Sequence, residues 1–220
     1  MSRPADPHAK VDLLRAAEKV FLEHGLDKAR VEDITAAAGR SKGAFYLHFE
    51  SKEDAFRQIV ESFLARLQGC VDRSLGDFGK AGGDVPAFLL RCREADVEIL
   101  DFVWQNRGVV RLMLEGGGSA QFGYLIDEFA ERSRQSTKQL LRWGVAHGLY
   151  RADLDVEVAS LVISGAYDRV ARELTRRERK PDLTVLVSEL QKIVLGGVAG
   201  LELREVIDSK VKNKVRSKRA

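Results

Sequence analysis

Apolar residues return along most of this chain at steps of three and four, the period of an amphipathic helix; no stretch shows the two-residue alternation of a strand. Val11, Leu14, Ala17, Val20 and Phe21 line one face of a first predicted helix, which ends near His24 because Gly25 can take the left-handed cap conformation. A short helix follows over residues 31–38, closed by Gly39, and another over 41–47. Ser51, with Asp54 three residues on, reads as an N-cap in an approximate capping box. It opens a long helix with Phe56, Ile59, Val60, Phe63 and Leu67 on one face. Residues 76–84 read as a glycine-rich linker, and Pro86 stands at the start of the next helix, which reaches about Gln105. A shorter helix covers 109–114 and is broken by Gly116, Gly117 and Gly118. The spacing then predicts a long helix over 122–147 ended by Gly148, one capped by Asp153 or Asp155 and running through Arg177, and a last one from Pro181 and Asp182 to about Leu203. The expected fold is all-α, with about nine helices.

Composition narrows the class without overturning that picture. The chain has 220 residues, 45% of them apolar and 31% charged, and only four prolines, which leaves long stretches free to be helical. No apolar run approaches the roughly 18–20 residues of a membrane span, and the first ten residues lack the apolar core of a signal peptide, so the expectation is a cytoplasmic protein without a membrane partner. Cys70 and Cys92 have no spaced cysteine or histidine partners, so neither a metal site nor a disulfide framework is expected, and nothing calls for a cofactor. The net charge is only +3, but residues 209–220 hold Lys210, Lys212, Lys214, Arg216, Lys218 and Arg219 and no acid. Such a basic tail reads as a solvated end able to approach phosphates at long range.

The informative stretch is residues 25–56, GLDKARVEDITAAAGRSKGAFYLHFESKEDAF. It reads as two short helices joined by a tight glycine turn, with Ile34 and Ala38 facing inward and Phe45 and Phe49 pinning the second helix to the core. That helix begins Ser41-Lys42-Gly43-Ala44, residues small or basic enough for a close approach to base edges, and Tyr46, His48 and Lys52 follow as further donors. This is a polar, basic recognition surface on a helix-turn-helix.

The order glycine, short helix, Ala-Ala-Gly, Ser-Lys-Gly, aromatic-Tyr, His-Phe, Ser-Lys-Glu resembles the DNA-binding domain of the TetR family of regulators over about the first 65 residues. The resemblance implies three parts: an N-terminal helix-turn-helix DNA-binding domain (1–50), a C-terminal helical ligand-binding and dimerisation domain (51–205), and the basic tail (206–220). It implies a homodimer on a roughly palindromic double-stranded DNA operator, most simply a repressor, released by a small-molecule effector. Carried over by position, Arg40, Ser41, Lys42, Gly43 and Ala44 fall at bases or nearby backbone, and Tyr46, His48 and Lys52 at phosphates. Two departures stand out. Ala29-Arg30 replaces the hydroxyl residue the family usually has before the second helix; arginine is a poor N-cap, yet Arg30 can pair with a phosphate directly. Arg40 replaces the usual valine of the turn.

Beyond the head, Phe63, Leu67, Phe88, Cys92, Ile99, Val103, Trp104, Met113, Phe122 and Trp143 are candidate walls of an apolar cavity, and the resemblance is what favours a cavity over a filled core. Small residues on the last two helices (Ser164, Gly165 and Ala166; Gly196, Gly197 and Gly200) suggest close crossing, and the family's dimer forms there, with Leu161, Val162, Val170, Leu190, Ile193, Val194 and Leu201 supplying apolar area. Three rival readings are weaker. Residues 39–43 fit the G-x-S-x-G nucleophile elbow, but that motif needs a preceding strand, and the residues before it are helical. A small helical enzyme lacks diagnostic spacing among its acids and His147. An architectural DNA-binding protein would depend on the basic tail.

Overall fold

The computed structural model describes residues 7–78, 85–115 and 118–196. Nine α-helices and no strand occur among them. The first is α1 (Pro7–Lys28). It buries Leu13, Ala16, Ala17, Val20 and Phe21, a stripe at three- and four-residue steps. Val11 is 47% exposed, so Ala9 and Leu13 rather than Val11 lie on the buried face. Gly25 has φ 75° and ψ 160°, a kink rather than a left-handed cap, and a last turn continues past it to Lys28.

The next two helices, α2 (Val31–Ala37) and α3 (Lys42–Tyr46), form the expected helix-turn-helix. Gly39 makes the turn at φ 60°, and the Arg40 amide donates to the Thr35 carbonyl at 2.9 Å. Ser41 caps α3, its Oγ accepting from the Ala44 amide at 3.2 Å. Arg30, at the N-cap position of α2, makes no side-chain cap bond. Helix α4 (Lys52–Phe78) opens as predicted at Ser51, whose Oγ accepts from the Asp54 amide at 3.1 Å. Asp54 accepts in return from Glu50, one residue earlier than an ideal capping box requires.

The body continues with α5 (Val85–Gln105), α6 (Arg107–Glu115), α7 (Gly118–Ala146), α8 (Val156–Arg176) and α9 (Leu183–Gly196). Asp155, not Asp153, caps α8 by accepting from the Val158 amide at 3.0 Å. Asp182 accepts from the Thr184 and Val185 amides and so opens α9. The expected linker begins later than the sequence suggests, because α4 runs through Gly76 to Phe78. Residues 79–84, the breaker pair Gly116 and Gly117, the end of the last helix with Gly197, Gly200 and Leu201, and the basic tail lie outside the described residues.

One apolar cluster joins head to body. Phe45 and Phe49 pack at 5.1 Å between ring centroids, Phe21 meets Phe56 at 5.6 Å, and Phe56 meets Phe122 at 5.3 Å; Phe63, Leu67, Val103 and Met113 extend the same cluster. A second cluster, Leu100, Trp104, Leu174, Leu183 and Val187, binds α5 to α8 and α9. Movement in the body therefore meets the head through packed rings rather than across a hinge.

Candidate nucleic-acid interface and ligand cavity

Helix α3 turns Phe45 fully inward and its other face to solvent. Residues three and four apart share a helix face, so Lys42, Gly43, Tyr46 and Leu47 together form the outward surface. Tyr46 is 58% exposed and Leu47 69%, while the Lys42 side chain is 56% exposed. Leu47 escaped the sequence analysis because an apolar residue beside two core phenylalanines looks like packing. Its exposure marks it instead as a side chain suited to a thymine methyl. Arg30 is exposed at the start of α2, and His48 is half-buried with its ring 6.2 Å from Phe49.

The remaining expected cations are differently employed. Lys42 pairs with Glu32 of α2, and this hydrogen bond holds the Glu32 carboxyl below its ordinary range and the Lys42 ammonium above its own. Arg40 Nη2 donates to Asp12 Oδ2 of α1 at 2.7 Å, which ties the turn to the first helix. Lys52 is engaged within the chain itself. Its ammonium donates to the carbonyls of Leu26 at 2.8 Å, Asp27 at 2.9 Å and Ala29 at 3.1 Å. An ammonium has three N–H donors, and all three serve the end of α1 just past the Gly25 kink.

In the body a cavity of about 640 Å³ opens among α4, α5, α6, α7, α8 and α9. Phe63, Leu67, Cys92, Ile99, Val103 and Met113, six of the expected wall residues, line it. Three do not. Phe122 is consumed by its packing on Phe56 in the shared core. Trp143 stacks at 4.3 Å on His147, which lies just past the end of α7. Trp104 belongs to the second cluster, with the Arg107 guanidinium 4.5 Å from its ring centre. The Phe88 side chain lies outside the described residues.

The sequence analysis missed the cavity's polar wall. Asp96 of α5 accepts from the Tyr167 hydroxyl of α8 and from Gln191 Nε2 of α9 at 2.9 Å. Burial raises the Asp96 carboxyl to about 6, although both hydrogen bonds pull it down. Burial first, and then the nearby carboxylate, push the Cys92 thiol to about 12; burial, with Cys92 and Asp96 nearby, does the same to the Tyr150 hydroxyl, and Tyr167 also moves upward. No periodicity could have revealed this trio, because its members sit on three helices far apart in the chain. Among the described residues no three His, Cys, Asp or Glu side chains gather in a way that could hold a metal, and no helix is long and apolar enough to cross a membrane.

Comparison with known proteins agrees with this architecture. The model of bacterial regulatory proteins of the tetR family matches residues 13–59. The HTH-type transcriptional repressor KstR2 of Rhodococcus jostii is 31% identical over 156 residues, which cover 68% of this chain and 72% of that repressor. The fatty acid degradation regulator FadR of Bacillus halodurans superposes with a TM-score of 0.69 at 27% identity, over 90% of this chain and 98% of its own. The FadR of Bacillus subtilis, solved in complex with stearoyl-CoA, superposes at a TM-score of 0.64 and 21% identity, covering 86% and 99% of the two chains, a likeness of fold alone.

Proposed function

We propose, from the premise that this chain belongs to the tetR family of bacterial regulatory proteins and is a DNA-binding transcriptional regulator rather than an enzyme, that it represses from a palindromic operator as a homodimer and is released by a small, largely apolar effector. The observation that carries this reading is the outward face of α3. A short helix anchored by buried Phe45 presents a cation, a glycine, a phenol and an aliphatic side chain that the described residues leave exposed. Glycine at position 43 lets backbone come close to a base edge, Lys42 and Tyr46 supply donors, and Leu47 offers an apolar contact in the major groove. Arg30 and His48 flank that face as phosphate contacts; Ser41 and Ala44 hold the helix start against the backbone; Arg40 and Lys52 position the unit from behind through Asp12 and the carbonyls after α1.

The division into a reading head (1–50) and a sensing body (51–205) is one of task, since the two share a core. Effector in the body cavity would act on the head through α4 and α6, whose Phe63 and Met113 line the cavity and pack, with Phe56, in the core cluster shared with the head. The dimer we propose uses α8 and α9. Val158, Leu161 and Val162 on α8, and Val185 and Ile193 on α9, are all more than half exposed, an apolar area that isolated chains seldom leave in water.

Selection of bound duplexes from a random pool tests the reading. It predicts a sequence with two inverted half-sites, whose affinity falls steeply with salt. Recovery of DNA without symmetry or preference, or loss of all binding on removing residues 209–220, would favour an architectural protein instead. Light scattering of Leu161→Glu and Val162→Glu against the native chain tests the dimer: the native chain should have twice the mass of either variant.

A further inference from the structure

The cavity contains a largely buried carboxylate, Asp96, that meets no cation among the described residues. Asp96 Oδ2 receives both neutral donors, Tyr167 and Gln191, while Oδ1 accepts no hydrogen bond from the described residues. A carboxylate in apolar surroundings is costly unless its oxygens are satisfied. Ser133 Oγ, on the α7 wall of the same cavity, is also buried with no hydrogen-bond partner. The charged residues of the lining point the same way. Both arginines are already paired, Arg134 with Glu131 at 2.6 Å and Arg172 with Asp168 at 2.7 Å, and Asp127 adds a further negative charge. An anionic headgroup entering this space would find both lining guanidinium groups already paired and would approach several carboxylates.

We infer that the effector is an apolar molecule whose polar end is a hydrogen-bond donor, a hydroxyl or a protonated amine, seated on Asp96 Oδ1, and that fatty carboxylates and CoA thioesters are rejected. This rests on the reading that the body cavity receives the effector. The apolar portion would lie along Phe63, Leu67, Ile99 and Met113, which line the same cavity. The Ser133 hydroxyl would serve as a second anchor if the polar end carries more than one group.

Calorimetric titration of the full chain, without DNA, with octylamine, octanol, octanoate and octanoyl-CoA reads this chemistry at constant chain length. Octylamine or octanol, or both, should bind at least about tenfold more tightly than octanoate and octanoyl-CoA, one good hydrogen bond's worth. Whether the amine or the alcohol leads identifies which donor the site takes. Asp96→Asn can turn an amide N–H into the cavity in place of an acceptor, so it should erase that preference and improve octanoate. A native chain that takes octanoate or octanoyl-CoA as well as the donors, or none of the four, overturns the inference without any variant; an unchanged order in a folded Asp96→Asn does the same. Binding of the selected duplex, measured on the same preparation, separates the two readings. DNA binding with the wrong ligand order removes only the ligand chemistry, whereas correct ligand order without specific DNA binding removes the regulatory reading.

Discussion

Lys42 and Lys52 carry the same charge on neighbouring helices and do opposite things. Lys42 is exposed and held only by Glu32, a surface pair of the kind that contributes little to stability. Its partner is therefore a competitor for phosphate or base. Glu32→Gln should release Lys42 and remove a negative charge from the side we propose to face DNA, strengthening operator binding several-fold at low salt and less as salt rises; fluorescence anisotropy reads this, and weaker binding would contradict it. Asp96 makes a prediction in pH. Its carboxyl ordinarily titrates near 3.8 and is raised to about 6 in the folded chain. Between those values the native state holds a proton that the unfolded state has released, so stability falls as pH rises through this window and the loss is complete above it. The difference is worth at most about 3 kcal/mol. Cys92, Tyr150, Tyr167 and Gln191, the groups facing it from α5, the segment after α7, α8 and α9, stay neutral throughout. Asp96→Asn should accordingly melt above the native chain at about pH 7.5 and with it at about pH 4. An Asn variant that melts lower at the higher pH would show that the ionised carboxylate is stabilising.

At the scale of elements, the helices were legible because their stripes and stops are local. Phe56, Ile59, Val60, Phe63 and Leu67 lie on one face by spacing alone, and all are buried. Ser41, Ser51, Asp155 and Asp182 cap through bonds to amides two or three residues away. What required the third dimension was the use of each face. Phe122 and Trp143 have the same composition signal as Phe63, yet one is claimed by Phe56 and the other by His147. Lys52 is the sharpest case, since only the fold shows that the α4 start lies beneath the carbonyls after Gly25. Lys52→Met should lower stability by about 1–3 kcal/mol through three carbonyls losing their donor, while the salt dependence of DNA binding keeps its slope. Chemical denaturation and a salt titration on one sample check both halves. A shallower slope in Lys52→Met would return this residue to the phosphate contacts.

At the scale of the molecule, the sequence carried the reading head in a continuous stretch and the sensing body only in outline. Residues 25–56 specify turn, anchor and contact face within a few helical turns of one another. The polar wall of the cavity joins Asp96, Tyr167 and Gln191 from three separate helices, and the cluster shared by the two parts holds rings from Phe21 through Phe56 to Phe122 that no local pattern encodes. The same continuity makes an effector's work mechanical. A molecule that spreads Phe63 and Met113 must displace neighbours in a packed cluster that reaches α3.

The most direct measurement is the affinity of the native chain and of Lys42→Ala/Tyr46→Ala for the selected duplex and for a scrambled one, over a range of salt. The outward face of α3 as the reading surface predicts that the double variant stays folded, loses its preference for the selected sequence, and shows a salt slope lowered by about one for the lost cation. Undiminished preference in a folded double variant would contradict the assignment of that face.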